Sequence, residues 1–251
     1  MELLTLFHNQ GRGRPVGGGD GEVAYADKVA AIEAANLIAY WPLWELSGAT
    51  ADNYEGTAAR DGAYTGVTLG QTGIGDGNTC PLFDGVEDLV DVYTASLKDA
   101  WNGAVGTMGI WVQASAAEWA DDTDRRIFNF YVDGNNRVYM QRVEANEVVI
   151  TYEAGDVIET VTVTGFTVAS FYHLAVTWDK AAEEVKVYKN GSQFGATMGT
   201  LGVWAGALKS TNTVIGAYST TPGVCWNGKL AHLNVWTKAL TPAQILSVAT
   251  V

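Results

Sequence analysis

Apolar and polar positions alternate along most of the chain. In HLAVTWD (173–179), Leu174, Val176 and Trp178 fall on one side and Ala175 and Thr177 on the other, the period-two mark of a strand. The pattern predicts strands over Met108–Gln113, Arg126–Val132, Arg137–Val143, Val148–Tyr152, Ile158–Thr164, Tyr172–Trp178 and Val185–Lys189. DGNN (133–136), EAGD (153–156) and KNG (189–191) separate several of them. These read as hairpin turns, because Asn and Gly accept the positive φ that tight turns need. Short strands with closely spaced turns predict an all-β, antiparallel two-sheet sandwich rather than an α/β fold.

The ends read differently. Val29 and Ile32 lie near helical spacing in an Ala- and Glu-rich stretch, predicting a short helix over 26–36 with Asp27 near its start. Leu37–Leu43 then reads as a strand. Near the C-terminus Thr241 is a natural N-cap and Pro242 fits the first helical position. Leu240 can pack on Ile245, predicting a helix over 241–248. Residues 1–23 stand apart as an N-terminal arm, with residues 24–251 as the sandwich domain. GRGRPVGGGDG (11–21) lacks the GxGxxG spacing of a phosphate loop and reads as a flexible connection. Leu3, Leu4, Leu6 and Phe7 are too few to form a core, so the arm is expected to add along a neighbour's exposed sheet edge. Arg12 and Arg14 would favour an acidic neighbour or another copy of this chain.

Composition narrows the function. With 251 residues, 47% of them hydrophobic, the chain can bury a core without a disulfide or metal. A formal net charge of −13 disfavours nucleic acid and anionic membrane surfaces as partners. There is no apolar run of membrane-spanning length, so no membrane insertion is expected. MELLTLFHNQ lacks the basic start and long apolar core of a signal peptide. Cys80 and Cys225 lack CxxC spacing; two buried thiols are the preferred reading, with a single disulfide left open.

Several segments fall in the order of a known family. LIAYWPLWELSG (37–48), GVTLGQTGIGDGNTCPLFDGVEDLVDV (66–92), TMGIWVQ, YHLAVTWD, VKVYKNG and WNGKLAHLNVWTKALTPAQI resemble segments of laminin-G-like domains of the concanavalin A-like lectin/glucanase superfamily. The resemblance covers about residues 37–248 and implies a jelly-roll sandwich. In that frame FDG (83–85) ends a strand and turns, and LVDV (89–92) is the next strand. The resemblance also allows one structural calcium, with Asp84, Asp88, Asp52 and Asp61 as candidate ligands, since calcium takes oxygen donors in number. Ala231 stands where the family commonly places an acid, which weakens that inference.

Catalysis finds little support in the residues. Glucanases of the superfamily carry E-x-D-x-x-E, whose alternation brings carboxylates into one cleft. The nearest pattern here, Glu153, Asp156 and Glu159, has a spacing that changes face, so no hydrolase activity is expected. EWADDTD (118–124) reads as a solvated loop. His173 falls at the W-H-x-A-x-T position of the family that the chain resembles, which implies a structural, hydrogen-bonding histidine, and His232 shares a strand face with Asn234 and Trp236. No nucleophile motif accompanies the histidines.

Trp119, Trp204, Trp226 and Tyr218 fall near loops, where aromatic faces can stack on sugars or cover the ends of the sandwich. With Asn227 they form the candidate glycan site. The expected function is a non-catalytic structural or attachment module of a larger assembly, such as a phage or virus particle surface, with glycan binding. It would bind other copies or neighbouring assembly proteins. The alternative is a free, secreted lectin or carbohydrate-binding module recognising cell-surface polysaccharide.

Overall fold

The computed structural model describes residues 24–54, 56–221 and 223–251. The arm residues Leu3, Leu4, Leu6, Phe7, Arg12 and Arg14 lie outside them. The described chain opens with α1 (Tyr25–Ala31), β1 (Leu37–Trp41) and the short β2 (Thr50–Ala51). It continues through β3 (Gly62–Thr65), β4 (Thr68–Thr72), β5 (Thr79–Asp84), β6 (Leu89–Asp91) and α2 (Ala95–Ala100). β7 (Val105–Gln113) and α3 (Ala116–Ala120) precede β8 (Arg125–Asp133), β9 (Asn136–Arg142), β10 (Glu147–Ala154) and β11 (Val157–Thr164). β12 (Tyr172–Asp179), β13 (Glu184–Lys189), β14 (Ser192–Met198), β15 (Thr213–Ile215), β16 (Asn227–Trp236) and α4 (Pro242–Val248) complete it.

Two antiparallel sheets result. Sheet A runs β14-β13-β12-β7-β16-β5-β4 with β1 also paired to β16, and sheet B runs β11-β10-β9-β8-β15-β6-β3-β2. Their inner faces meet in one core: Met108, Ile110, Val112, Leu174 and Val176 from sheet A against Phe128, Phe130, Met140, Ile150 and Tyr152 from sheet B. The alternation in 173–179 is realised, with Leu174, Val176 and Trp178 in this core. Gly155-Asp156 and Asn190-Gly191 join paired strands with all four residues at positive φ, as the turn chemistry requires.

The outer face of sheet A carries a second, smaller core, where α1 and α4 pack Tyr25, Val29, Ile245 and Val248 onto Tyr40, Trp111, Ala175 and Trp236. α4 starts as expected, with reciprocal Thr241–Gln244 capping. α1 is shorter than 26–36: the backbone turns extended at Ile32 and Glu33 takes φ 47°. The freed Ile32 carbonyl accepts the Trp236 indole N–H at 2.8 Å.

This second core encloses polar groups. One additional residue of β16 opposite β7 between Ala231 and Asn234 makes a bulge, and His232 sits in it at φ 55°. Its Nδ1 lies 2.7 Å from the Tyr40 hydroxyl and its Nε2 3.2 Å from the Asp76 carboxylate, delivered by the β4–β5 loop. Asp76 also accepts from the backbone N–H of Asn78 at 3.1 Å and its side-chain amide at 2.7 Å. Burial pushes the Asp76 carboxyl up, but the contacts with His232 and Asn78 outweigh it and hold the group below the usual carboxylate range.

His173 corrects the expectation of a hydrogen-bonding histidine. It is fully buried beside Trp111, ring centroids 5.2 Å apart, and neither ring nitrogen has a partner among the described residues. Burial, with the neighbouring His232, lowers its pKa to about 3. The unfolded chain would therefore take up a proton near the ordinary histidine value of about 6.5 that the folded chain refuses. Stability is present above that value and is lost as pH falls from it toward 3. This group should make the protein about 2 kcal/mol less stable at pH 5 than at pH 7. Urea unfolding at both pH values, compared with His173→Phe, checks the sign: the variant should lose that part of the acid sensitivity.

Candidate functional site

Among the described residues the outer face of sheet B carries no helix, and the site is built there. On β9 the pairing places Arg137, Tyr139 and Gln141 outward, opposite Glu153, Thr151 and Val149 of β10. Thr151 and Glu153 are buried at the base of this surface, and Glu153 holds Arg137 through an Nε–Oε2 contact of 2.6 Å. Thr151 and Thr160 link their hydroxyls across β10 and β11 at 3.2 Å.

Arg126 enters the same face through an irregularity. Strict alternation would align it with Phe128 and Phe130, which are core. The β8–β9 register shifts between Arg126 and Phe128, so Arg126 pairs beside outward Gln141 while Phe128 pairs beside inward Met140. Its guanidinium carbon lies 4.0 Å from the Tyr139 ring centroid and 5.2 Å from that of Tyr218. Such cation–π contacts partly replace lost hydration. Arg126 is 6% exposed, and its Nε and Nη1 have no hydrogen-bond acceptor among the described residues. Burial is the main cause that lowers its pKa to about 10, which leaves it charged near neutral pH.

The connection between β15 and β16 forms a wall beside this floor. Ala217 and Cys225 pack on Leu89 and Val214 in a small cluster of their own. The Arg126 N–H donates to Val224 O at 2.8 Å, and the Asn129 amide donates to Tyr218 O at 2.8 Å. Tyr218 is thereby held by its backbone, with its ring 37% exposed beside Arg126. Asn129 Oδ1 is buried and, among the described residues, also without a partner.

Of the sequence-derived glycan candidates, only Tyr218 belongs to this face. Trp119 and Trp226 are fully buried, their rings edge-on at 5.6 Å, so neither presents a face to a sugar. Trp204 is half-buried, packed on Trp101 and Tyr152 at the other end of the sandwich. The tryptophans thus plug the ends between the sheets. Asn227 lies elsewhere, in an open cleft of about 310 Å³ with Gln113, Glu118 and Lys229. The sequence reading missed Arg126, Arg137 and Tyr139; the outward set Arg137, Tyr139, Gln141 was readable from the DGNN hairpin.

The calcium candidates do not converge. Asp88 accepts the Asp84 N–H at 2.8 Å, and Asp84 accepts from Val86 N at 2.8 Å, so this pair shapes the turn before β6. Asp88 also approaches Gly66, just past the far end of β3 from Asp61. Five residues of extended chain separate those points by about 16 Å, too far to share one ion. Asp61 accepts from Asn53 N at 2.9 Å, and the Asp52 N–H donates to Glu45 at 2.9 Å. Among the described residues no group of three or more His, Cys, Asp or Glu could hold a metal ion. The 118–124 loop is also more than a solvated loop: Asp121 pairs with the fully buried Arg142, whose guanidinium also donates to the Asp121 and Thr123 carbonyls. Cys80 and Cys225 are buried free thiols in separate clusters.

With two antiparallel sheets and one polar, aromatic outer face established, relatives can be assigned. A family model described as the concanavalin A-like lectin/glucanases superfamily matches residues 83–246, about two thirds of the chain. The chain belongs to this superfamily. No curated protein sequence matches it. Among solved structures, it is similar to the botulinum neurotoxin serotype D binding domain, with TM-score 0.60 and 13% identity over 85% of this chain and 51% of that one. The chain therefore spans about half of that binding domain. Domain 4 of AbnA, an extracellular arabinanase from Geobacillus stearothermophilus, in complex with arabinotriose, matches with TM-score 0.58 and 18% identity, covering 86% of this chain and 98% of that one. Trypanosoma rangeli sialidase in complex with sialic acid matches with TM-score 0.65 and 10% identity, covering 90% of this chain and 36% of that one. At these identities the likeness establishes the superfamily's lectin-like jelly roll. Among the described residues no helix is long and apolar enough to cross a membrane.

Proposed function

We propose that this protein is a non-catalytic glycan-binding module that holds its ligand on the outer face of sheet B, between Tyr139 and Tyr218. One observation carries the reading: a charged guanidinium is buried against two tyrosine rings with donors to spare. Aromatic faces offer apolar contact to a sugar ring, and unpaired polar groups offer the hydrogen bonds that orient it. The lectin-like fold and the carbohydrate complexes among its structural neighbours support the class of ligand. The carboxylates are arranged for structure rather than hydrolysis. Glu153 is neutralised by Arg137, and Glu159 pairs opposite inward Tyr152, on the other side of the sheet from Glu153.

A glycan array probed with the full chain and with Tyr139→Ala tests this. The parent should bind a defined subset of glycans, and the variant should lose about fivefold in affinity, the ~1 kcal/mol of one aromatic contact. No binding by the parent, or equal binding by both, would contradict the proposal. The assembly role expected of residues 1–23, and with it a virus-particle or other extracellular setting, rests on sequence alone. Sizing the native protein with and without those residues tests it: a smaller assembly on deletion supports the role, and unchanged size with lower thermal stability opposes it.

A further inference from the structure

We infer that the ligand of this face is an acidic glycan whose carboxylate is received by Arg126 and one of whose hydroxyls donates to Asn129. This rests on the glycan-binding reading and adds the chemical class of sugar. Two independent orphan groups point to it. Arg126, 6% exposed, has donors on Nε and Nη1 without acceptors among the described residues. Asn129 Oδ1, three residues along β8 on the same face, is a buried acceptor without a donor. A buried charged group left without hydrogen bonds is costly, whereas a carboxylate supplies the planar, charged acceptor that a guanidinium matches best. A neutral sugar would fill the hydrogen bonds but leave the charge uncompensated. Glu153 is engaged by Arg137, and Asp124 acts on Arg126 only from a distance, so among the described residues the buried guanidinium forms no ion pair of its own.

Access needs one movement. Nε and Nη1 are covered, and Tyr218 is the exposed ring beside them. Its hydroxyl makes no hydrogen bond among the described residues, and the residue is held through its carbonyl and N–H. Rotation of the Tyr218 side chain about χ1 therefore breaks no side-chain hydrogen bond. It uncovers the guanidinium and leaves the ring free to stack on the entering sugar.

Isothermal titration of the full chain with matched pairs decides the matter: sialyllactose against lactose, and trigalacturonate against its methyl ester. The pairs also separate the two sources of a sugar carboxylate, sialic acid and uronic acid. At least one acid should bind at least about tenfold more tightly than its neutral partner, and Arg126→Gln should abolish that preference. Should that variant not fold, the arginine Nε–Hε resonances of the parent protein provide the second measurement. One of them should shift on adding the preferred acid and stay in place with its neutral partner. Equal or tighter binding of the neutral sugars, a preference that survives Arg126→Gln, or an unmoved arginine spectrum would overturn this inference while leaving glycan binding itself standing. Failure of all four sugars to bind, together with an empty array, would remove both.

Discussion

Trp226→Ala should lower the unfolding free energy by about 3–5 kcal/mol, the usual cost of deleting a large buried aromatic side chain. Trp226 is fully buried, edge-on to Trp119 at 5.6 Å, and Trp119 in turn stacks on Phe166 at 4.6 Å. These rings close one end of the space between the sheets. Trp101, Trp178 and Tyr152 close the other, about 20 Å away along β7 at ~3.3 Å per residue. Because the Trp226 indole N–H has no acceptor among the described residues, Trp226→Phe should recover most of the loss. Chemical denaturation of both variants checks this. A Trp226→Ala protein of near-parental stability would show that the ring is not in the core.

The second large effect lies on the opposite side of sheet A. Asp76→Ala would leave the buried His232 Nε2 without its partner and take the acceptor from two half-buried Asn78 donors, at a cost of about 3 kcal/mol. A cycle with His232→Ala should show strong coupling: once Asp76 is gone, removing His232 should cost much less than it does in the parent. Additive losses would mean that the two side chains do not act together. The direction with pH also follows. The folded Asp76 carboxyl lies below its ordinary value, so its contribution is present above that value and is lost as pH falls through the folded one.

Regular backbone was legible in the sequence because strands and turns declare themselves locally. Seven predicted strands each fall on an observed one, and Thr241 caps α4 as read. Position relative to the core was legible only where alternation ran unbroken. Arg126 precedes Phe128 and Phe130 by even steps and reads as inward, yet the register shift at Ile127 turns it outward. His232 does share the outer face with Asn234 and Trp236, as read, but the bulge and the aim at Asp76, in a loop about 150 residues earlier in the chain, left no local mark. Trp119 and Trp226 sit in a short helix and a loop, elements that carry no inside–outside pattern, so their burial became visible only once the ends of the sandwich were in place. The acids were misleading for a related reason. Asp84, Asp88 and Asp61 satisfy backbone N–H groups at turns, a role that composition cannot distinguish from metal ligation.

The most direct test of glycan binding on sheet B is chemical-shift mapping of the full chain, titrated with the tightest-binding glycan from the array. The account predicts perturbations that cluster on Arg126, Asn129, Tyr139, Thr151 and Tyr218. Perturbations centred instead on the Asn227–Lys229 cleft, or none at saturating glycan, would contradict it.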